Sequence, residues 1–301
     1  LLRGDFERGW AEYEWRWRQI GVHAPTFSQP EWDGQNLRGQ TILVFSEQGL
    51  GDTIQFIRYV PMIRDLGGRV IVQCEAALAP LIRGVDGVSD VIVKGAPLPT
   101  FDVRCAIASL PFKFHTTLAT IPNRVPYVQF DADRANRWRD ELNLSRECLN
   151  VGVVWAGSAV HKNDRNRSCR LADLLPLAQA PGVRWISLQL GAANSQLGAV
   201  NAAWTIEDAS NGIADFADSA ALVSALDLLI TVDSAPAHLA GALGKPVWTL
   251  LPLVPDFRWM LDRADSPWYP TMHLFRQQLR GDWQAVAQEV ATALLDFAPQ
   301  S

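Results

Sequence analysis

Short apolar runs rich in Val, Ile and Leu alternate along this chain with amphipathic stretches, as consecutive strands and helices do. In the first half of the chain, the strand-like runs are residues 41–46, 69–74, 90–93 and 101–105. In the second half, they are residues 150–155, 183–188, 228–232 and 246–251. Residues 52–66 are the clearest helical stretch, and residues 131–142 are polar and helix-like. The alternation predicts βαβ units in two α/β halves joined near residue 140.

Amphipathic helices are predicted at both ends of the chain. Asp5 is placed to cap a helix over residues 5–19, whose apolar face consists of Phe6, Trp10, Tyr13, Trp17 and Ile20. Asp282 is placed to cap a helix whose apolar face consists of Trp283, Val286, Val290, Leu294 and Phe297. We therefore expect an N-terminal helix in residues 1–24 and two domains in residues 25–140 and 141–301. The last helix is a candidate to pack back on the first domain.

Composition places the chain among ordinary globular proteins. It has 301 residues, 48% hydrophobic and 20% charged, and its net charge of −5 provides no general attraction to nucleic acid or to anionic membranes. No apolar run approaches the roughly 20 residues that a membrane-spanning helix needs. The four cysteines are far apart and predict reduced thiols in a cytoplasmic protein, with neither a disulfide framework nor a zinc site.

The first segment with candidate chemistry is the turn after the first predicted strand, Glu47-Gln48-Gly49-Leu50-Gly51-Asp52-Thr53. Gly49 and Gly51 allow a tight turn and the close approach of a ligand to the backbone, so Gln48 and both glycines are candidates to face an acceptor. Asp52 falls at the start of the following helix. By itself, this position fits either a helix cap or a functional carboxylate.

A basic loop, residues 157–168, follows the first predicted strand of the second half. It begins with Gly157 and Ser158 and carries His161, Lys162, Arg165 and Arg167. A solvated basic surface would explain this composition. Cations after the end of a strand also suit the pyrophosphate of a nucleotide, because they neutralise its charge. Arg167 is our first candidate phosphate ligand and Lys162 the second.

The third segment is Asp233-Ser234-Ala235-Pro236-Ala237-His238, where a buried strand leads into a helix of small residues. Free N–H groups and the helix dipole at such a point suit a phosphate, so Ser234 and the backbone at Ala235 are candidate phosphate ligands. Asp233 is either a helix cap or a ligand of a sugar hydroxyl. His238 is either a buried, hydrogen-bonded histidine or a phosphate and sugar contact.

Weaker signals lie on other loops of the second half. Gln189 ends a predicted strand and is a candidate to bind the same phosphate-bearing ligand. Asp215, Phe216 and Ala217 lead into a helix, and helix capping explains them as well as ligand binding does. Residues 131–133 match the D-x-D pattern of metal-dependent transferases, but their place at the start of a helix favours capping. No cluster has metal-ligand spacing, so neither a metal nor another cofactor is expected.

Residues 226–248 resemble the donor-phosphate segment of the ADP-heptose lipopolysaccharide heptosyltransferases. That family has the GT-B fold, in which two Rossmann-like α/β domains face each other across a cleft. The resemblance implies that Asp52, in a Gly-Asp pair similar to the family's, is the general base for the acceptor hydroxyl. It also implies that Asp215 to Ala217 lie near the nucleoside. The family uses a lysine in a loop comparable to the basic loop, where this chain has a different pattern.

A second resemblance concerns the N-terminus and the chain as a whole. The string Gly4-Asp5-Phe6-Glu7-Arg8-Gly9-Trp10 is similar to the tail of a tetratricopeptide repeat array. Residues 40–297 resemble the glycosyltransferase-like domain that follows such repeats in bacterial proteins. The N-terminal helix is therefore expected to be the last piece of a helical repeat. The start at Leu1, without methionine, suggests a fragment of a longer protein with repeats upstream.

These segments and the family resemblance together imply an inverting, metal-independent glycosyltransferase. It would move a sugar from a nucleoside diphosphate sugar to a hydroxyl of a glycan or protein acceptor. Two alternatives are a non-catalytic module that binds a nucleotide or a partner, and a sugar-nucleotide epimerase on the same fold.

Overall fold

The computed structural model describes residues 1–18 and 25–297. Within these residues, the first half forms a parallel sheet of four strands in the order β3-β2-β1-β4. The strands are β1 (Thr41–Phe45), β2 (Arg69–Cys74), β3 (Val88–Val93) and β4 (Val103–Ala106). β1 and β2 are largely buried, as strands of a parallel sheet are when helices cover both faces. The strands predicted for the first half are confirmed, with small differences at their ends.

The helices of the first half are short. They are α1 (Phe6–Tyr13), α2 (Leu50–Phe56), α3 (Val60–Asp65), α4 (Ala79–Ile82), α5 (Leu110–Lys113) and α6 (Ala132–Glu141). The single helix predicted over residues 52–66 is wrong in one respect, since a 3₁₀ turn at Ile57–Tyr59 separates α2 from α3. Pro61 explains the division, because it has no N–H to donate to a carbonyl one turn earlier.

The second half forms a parallel sheet that has six strands in the described part of the chain, in the order β10-β9-β8-β5-β6-β7. The strands are β5 (Leu149–Val154), β6 (Val183–Ser187), β7 (Ile206–Asp208), β8 (Leu228–Val232), β9 (Val247–Leu251) and β10 (Met272–Arg276). The pattern of apolar residues did not predict the two edge strands β7 and β10. β7 is short and half exposed, and β10 carries an exposed His273, so neither is a continuous apolar run.

The helices of the second half are α7 (Asp164–Arg167), α8 (Leu197–Val200), α9 (Phe216–Ala225), α10 (Ala235–Ala242) and α11 (Trp283–Leu295). The suggested packing of the last helix on the first domain is wrong. Trp283, Val286 and Val290 of α11 belong to the buried cluster of the second sheet, beside the 3₁₀ segment Leu171–Gln179. The apolar face of α11 therefore packs within the second half and not on the first.

Three predicted helix caps are confirmed. Asp5 accepts a hydrogen bond from the backbone N–H of Arg8 at 3.2 Å. Asp131 accepts two backbone N–H groups at the start of α6, so the D-x-D pattern is a capping cluster. Asp282 caps α11 through the N–H of Ala285 at 3.0 Å. The N-terminal helix predicted over residues 5–19 is α-helical only as far as Tyr13 and continues as a 3₁₀ segment, Glu14–Arg18. The rest of this prediction, including Ile20, lies outside the described residues.

The two halves meet along the carboxyl ends of their strands, which form the walls of a cleft. The backbone N–H of Phe216, at the start of α9, donates to the carbonyl of Ala77, which follows β2, at 3.0 Å. Helix α10 packs directly on α2. Ligands of open α/β sheets bind at this edge, so the cleft is the place to look for a site.

Helix α1 is packed between the halves. The ring of Trp10 lies 6.2 Å from that of Phe56 in the first half and 5.8 Å from that of Phe257 in the second. The Trp10 indole N–H donates to the carbonyl of Thr116 at 3.0 Å. The N-terminal helix is therefore part of the core that joins the two halves. No helix in the described ranges is long and apolar enough to cross a membrane.

Candidate functional site

The first-half turn, residues 47–53, connects β1 to α2 and presents Asp52 to the cleft. Asp52 Oδ2 accepts the backbone N–H of Gly49 at 2.8 Å, which is one half of a capping box. Its Oδ1 accepts a hydrogen bond from Arg258, a residue of the second half. Gln48 is exposed. The N-cap residue of α2 is therefore Gly49 and not Asp52, which lies at the third helical position and caps from there, while also facing the other half.

The second-half turn, residues 233–238, connects β8 to α10. Asp233 is buried, and burial raises the pKa of its carboxyl to about 6, with the charge of Asp256 adding to the rise. The indole N–H of Trp259 is directed at this carboxyl but does not reach normal hydrogen-bond geometry. Ser234 Oγ lies 3.2 Å from the carbonyl oxygen of Val232, so no side chain caps α10.

His238 is a buried, hydrogen-bonded histidine. Its Nδ1 lies 2.9 Å from the hydroxyl of Tyr269, and its ring stacks on Trp259 with centroids 5.2 Å apart. Burial lowers the pKa of His238 well below its usual value, and the charge of Arg258 lowers it further. The imidazole is therefore neutral at physiological pH. The other edge of the ring, which carries Nε2, is turned towards the first half.

The two turns meet at Gly51. A Cβ atom at Gly51 would lie 2.7 Å from His238 Cδ2 and 3.4 Å from the Cα of Ala235. Glycine is therefore required here to let the backbone of α2 approach α10. This contact places Asp52 beside the start of α10.

In the basic loop, Arg167 alone among the three candidate cations reaches the second-half turn in the described structure. Arg167 Nη1 donates to the carbonyl of Asp233 at 2.9 Å. Lys162 and Arg165 are exposed. The preference for Arg167 over Lys162 agrees with this geometry, although ligand binding itself stays a prediction for both residues.

The glycine at the start of the basic loop is also explained by a close approach. A Cβ atom at Gly157 would lie 2.5 Å from Arg167 Nη2. The Gly157 N–H donates to Ser168 Oγ at 2.9 Å, while Ser158 is exposed at the surface. His161 is close enough for the charge of Arg167 to act with burial in lowering the pKa of the imidazole.

Gln189 joins the ends of two neighbouring strands. Its Oε1 accepts the N–H groups of Trp155 at 3.1 Å and Ala156 at 2.9 Å. Its Nε2 donates to the carbonyls of Ala156 at 3.1 Å and Leu190 at 2.8 Å. The side-chain amide is therefore fully hydrogen-bonded within the protein and has no free group to bind a ligand.

Asp215 to Ala217 form the capped start of α9. Asp215 accepts the N–H of Ala217 at 2.8 Å and lies 3.5 Å from a guanidinium nitrogen of Arg134 in α6. Phe216 is half-buried against the core that joins the halves. This arrangement accounts for the three residues structurally, and contact with a nucleoside stays a prediction.

Arg258 is the charged residue that the sequence did not single out. It follows β9, its side chain is 7% exposed, and it pairs with Asp52 across the cleft. It also donates to Asp256 Oδ1 at 2.7 Å and to the side-chain oxygen of Gln55. Its place in the run Phe257-Arg258-Trp259 was the available signal, because an arginine between two large aromatic residues is often buried and must then be paired.

A second missed pair ties the 3₁₀ segment Glu14–Arg18, which follows α1, to the first-half turn. Arg16 donates to Glu47 Oε1 at 2.9 Å, and the Glu47 side chain is 4% exposed. Burial raises the pKa of Glu47 to about 7, against the opposing charge of Arg16. Glu47 Oε2 and Arg16 Nε have no hydrogen-bond partner among the described residues. The N-terminal helix thus supplies a cation next to the turn that holds Asp52.

No group of three His, Cys, Asp or Glu side chains within residues 1–18 and 25–297 is arranged to hold a metal ion. The four cysteines are free thiols, as the sequence predicted, and three of them are buried.

Comparison with known proteins places this cleft in a family context. A protein-family model of glycosyltransferase family 9, the heptosyltransferases, matches residues 212–254, which include the second-half turn. Protein FlbA of Caulobacter vibrioides is 30% identical over 322 aligned residues, which cover 99% of this chain and 54% of FlbA. The chain therefore spans about half the length of the curated relative it matches.

Solved structures show the fold. A family 9 glycosyltransferase from Veillonella parvula superposes with a TM-score of 0.62 at 14% identity, covering 88% of this chain and all of the other. ADP-heptose LPS heptosyltransferase II of E. coli superposes with a TM-score of 0.58 at 16% identity, covering 85% and 99% of the two chains. The chain therefore has the GT-B fold of the heptosyltransferases, and the segment that carries its second-half turn matches glycosyltransferase family 9.

Proposed function

We propose that this chain is an inverting, metal-independent glycosyltransferase that uses a nucleoside diphosphate sugar. The observation that carries the proposal is the contact between the two turns at Gly51. It brings a carboxylate of one half, Asp52, next to the start of α10 in the other half. The structural relative from E. coli is described as an ADP-heptose enzyme, which supports a nucleotide sugar as the donor here.

The donor lies on the second half. Its diphosphate faces the backbone at Ser234 and Ala235, where α10 has no side-chain cap, and Arg167 neutralises part of its charge. The charge of the phosphates raises the pKa of Asp233 further, so this carboxyl is protonated and donates a hydrogen bond to the ligand.

The acceptor enters from the first half, past Gln48 and Gly49. Its hydroxyl oxygen attacks the anomeric carbon as the bond to the diphosphate oxygen breaks, and Asp52 takes the hydroxyl proton. One displacement inverts the configuration at that carbon. The electron pair of the broken bond leaves with the nucleoside diphosphate.

We also propose that tetratricopeptide repeats precede this domain and present the acceptor, a glycan or a protein. The chain spans only 54% of FlbA, which leaves room for such repeats in a protein of that length. Helix α1, the segment similar to a repeat, packs against both halves beside the cleft, so an upstream array would begin near the acceptor side.

A calorimetric titration with ADP, UDP, GDP and CMP tests the donor site. We expect one nucleotide to bind selectively, and Asp233→Ala and Arg167→Ala to weaken it. The matching sugar nucleotide is then incubated with the protein, and release of the nucleoside diphosphate is measured. Binding without any turnover would favour a non-catalytic module, and isomerisation of the sugar alone would favour an epimerase.

A further inference from the structure

Arg258 lies where the two halves meet and pairs with one carboxylate from each half. Its Nη2 donates to Asp52 in the first half, and its Nη1 donates to Asp256 in its own half at 2.7 Å. Its Nε donates to Gln55 on α2. The guanidinium is thus shared between two carboxylates, and it joins the first half to the loop after β9.

Asp52 is fully engaged in this arrangement. One carboxylate oxygen accepts the N–H of Gly49, and the other accepts Arg258. Oδ1 of Asp52 already accepts a guanidinium N–H, so an acceptor hydroxyl can reach this oxygen only in competition with Arg258. Asp52 is therefore open to the hydroxyl proton only when Arg258 turns away from it.

The second-half turn lies on the other side of Arg258. His238 stacks on Trp259, the residue that follows Arg258, with ring centroids 5.2 Å apart. The charge of Arg258 lowers the pKa of His238 and opposes the rise in the pKa of Asp233. Two buried side-chain N–H groups beside Arg258 have no hydrogen-bond partner among the described residues: Gln55 Nε2, on the side chain that accepts Arg258 Nε, and Trp259 Nε1, on the next residue. Unpartnered buried N–H groups call for an acceptor, and phosphate oxygens are strong acceptors.

We propose that Arg258 exchanges partners when the donor binds: it holds Asp52 in the empty cleft and turns to the diphosphate in the occupied one. The exchange makes Asp52 available as a base only when a donor is present. Arg258 is then a diphosphate ligand and a positioning residue for the base. This inference rests on the proposed function, since it needs a nucleoside diphosphate in the cleft.

Asp52 and the diphosphate compete for one guanidinium, so the direction in which a change at Asp52 shifts the diphosphate affinity can be predicted. Because Asp52 and the diphosphate bind the same group, removing the charge of Asp52 strengthens diphosphate binding. We expect Asp52→Asn to tighten the binding of the preferred nucleoside diphosphate about tenfold, and Arg258→Gln to weaken it at least tenfold. The double variant Asp52→Asn/Arg258→Gln should bind no more tightly than Arg258→Gln.

Calorimetry on the whole chain tests these values, with the nucleoside diphosphate selected from ADP, UDP and GDP as the probe. The corresponding nucleoside, which has no phosphate, should bind all variants equally. Asp86→Asn is the matched control, because Asp86 is an exposed carboxylate that pairs with Arg64 at the opposite edge of the first sheet. It should leave the affinity unchanged. Thermal unfolding checks that each variant is folded.

Each contrary result has a distinct meaning. If the wild-type protein binds a nucleoside diphosphate but Asp52→Asn binds it equally or more weakly, the exchange is overturned and the proposed function stands. If Asp52→Asn also tightens binding in the Arg258→Gln background, the effect is simple charge repulsion, which overturns the role of Arg258. A wild-type protein that binds no nucleoside diphosphate overturns the proposed function and the exchange together.

Discussion

The first-half and second-half turns occupy equivalent places in their domains but differ in charge. Each follows a buried strand, β1 or β8, and each begins a helix at the cleft. In the first-half turn, the carboxylate of Asp52 satisfies the N–H of Gly49, so the helix carries its own anion. In the second-half turn, no side chain caps α10. Only the second of these helix starts is therefore suited to an external anion.

The surroundings of the two turns sharpen this difference. Both turns hold a carboxyl whose pKa burial raises, Glu47 to about 7 and Asp233 to about 6. They differ in the cations beside them: in the first-half turn, Arg16 pairs with Glu47 and Arg258 with Asp52. The second-half turn holds a neutral His238. The first-half carboxylates are therefore matched by cations of the protein, and the start of α10 is not matched by an anion of its own.

The largest expected effect is on turnover. Replacing Asp52 with Asn removes the proposed base and should lower the rate of donor-to-acceptor transfer by about 10²- to 10⁴-fold, the usual contribution of a general base. Nucleotide affinity should not fall. Steady-state release of the nucleoside diphosphate measures the rate, with Asp86→Asn as the control. An unchanged rate would remove Asp52 as the base and make the first-half turn purely structural.

The next effect concerns the pH dependence of stability. The pKa of Glu47 is raised from 4.5 to about 7 in the fold. The contribution of this shift to the free energy of unfolding is fully present below pH 4.5 and is lost as the pH rises through 7. Glu47→Gln should therefore be more stable relative to wild type at pH 8 than at pH 5, by about 2 kcal/mol.

Urea unfolding at the two pH values measures that difference. The matched control is Glu12→Gln, which changes an exposed residue of the same N-terminal helix region. It should show no pH-dependent difference from wild type. If the stability of Glu47→Gln follows that of wild type across the pH range, the charge of Arg16 cancels the effect of burial on the pKa of Glu47.

The contact between the turns can be broken at Gly51. Gly51→Ala places a methyl group 2.7 Å from His238 Cδ2, and His238 is held by Tyr269 and Trp259. We expect a loss of about 1–3 kcal/mol in the free energy of unfolding, as for other overpacked sites, and a lower rate of transfer. Gly198→Ala is the control, because a Cβ there meets no atom within 4 Å. Equal stabilities of the two variants would mean that the halves separate freely at this point.

The smallest expected effect separates the cations of the basic loop. Arg167→Ala should weaken nucleoside diphosphate binding about tenfold, the value of one charge-assisted hydrogen bond. Arg165→Ala removes an exposed cation two residues earlier and should change the affinity less than twofold. Calorimetry of both variants measures the difference. Similar losses in both would indicate a diffuse electrostatic effect of the loop.

Much of the fold could be predicted because buried parallel strands are continuous apolar runs. β2 and β8 have the bounds that the sequence indicated, and the capping roles of Asp5, Asp131 and Asp282 followed from local rules. The edge strands β7 and β10 could not be predicted in this way, since edge strands are partly exposed and are not continuous apolar runs. The position of α11 could not be predicted either, because an amphipathic face does not determine which sheet the helix covers.

The candidate site was predicted in pieces. The residues Asp52, Arg167 and Asp233 were each found from a strand end followed by a turn, which is a local signal. Their partners were not found, because the pairs join residues far apart in the chain. Arg258 reaches Asp52, and Arg16 reaches Glu47, only after the halves have packed.

Local periodicity and turn chemistry are enough to predict the two α/β halves, their parallel strands and the three strand-end segments that face the cleft. Which charges meet depends on how the halves pack. This packing paired Arg258 with Asp52, buried Glu47 against Arg16, and made His238 neutral. Burial and charge pairing act through space, so the protonation states of this cleft are properties of the packed molecule and not of any single segment.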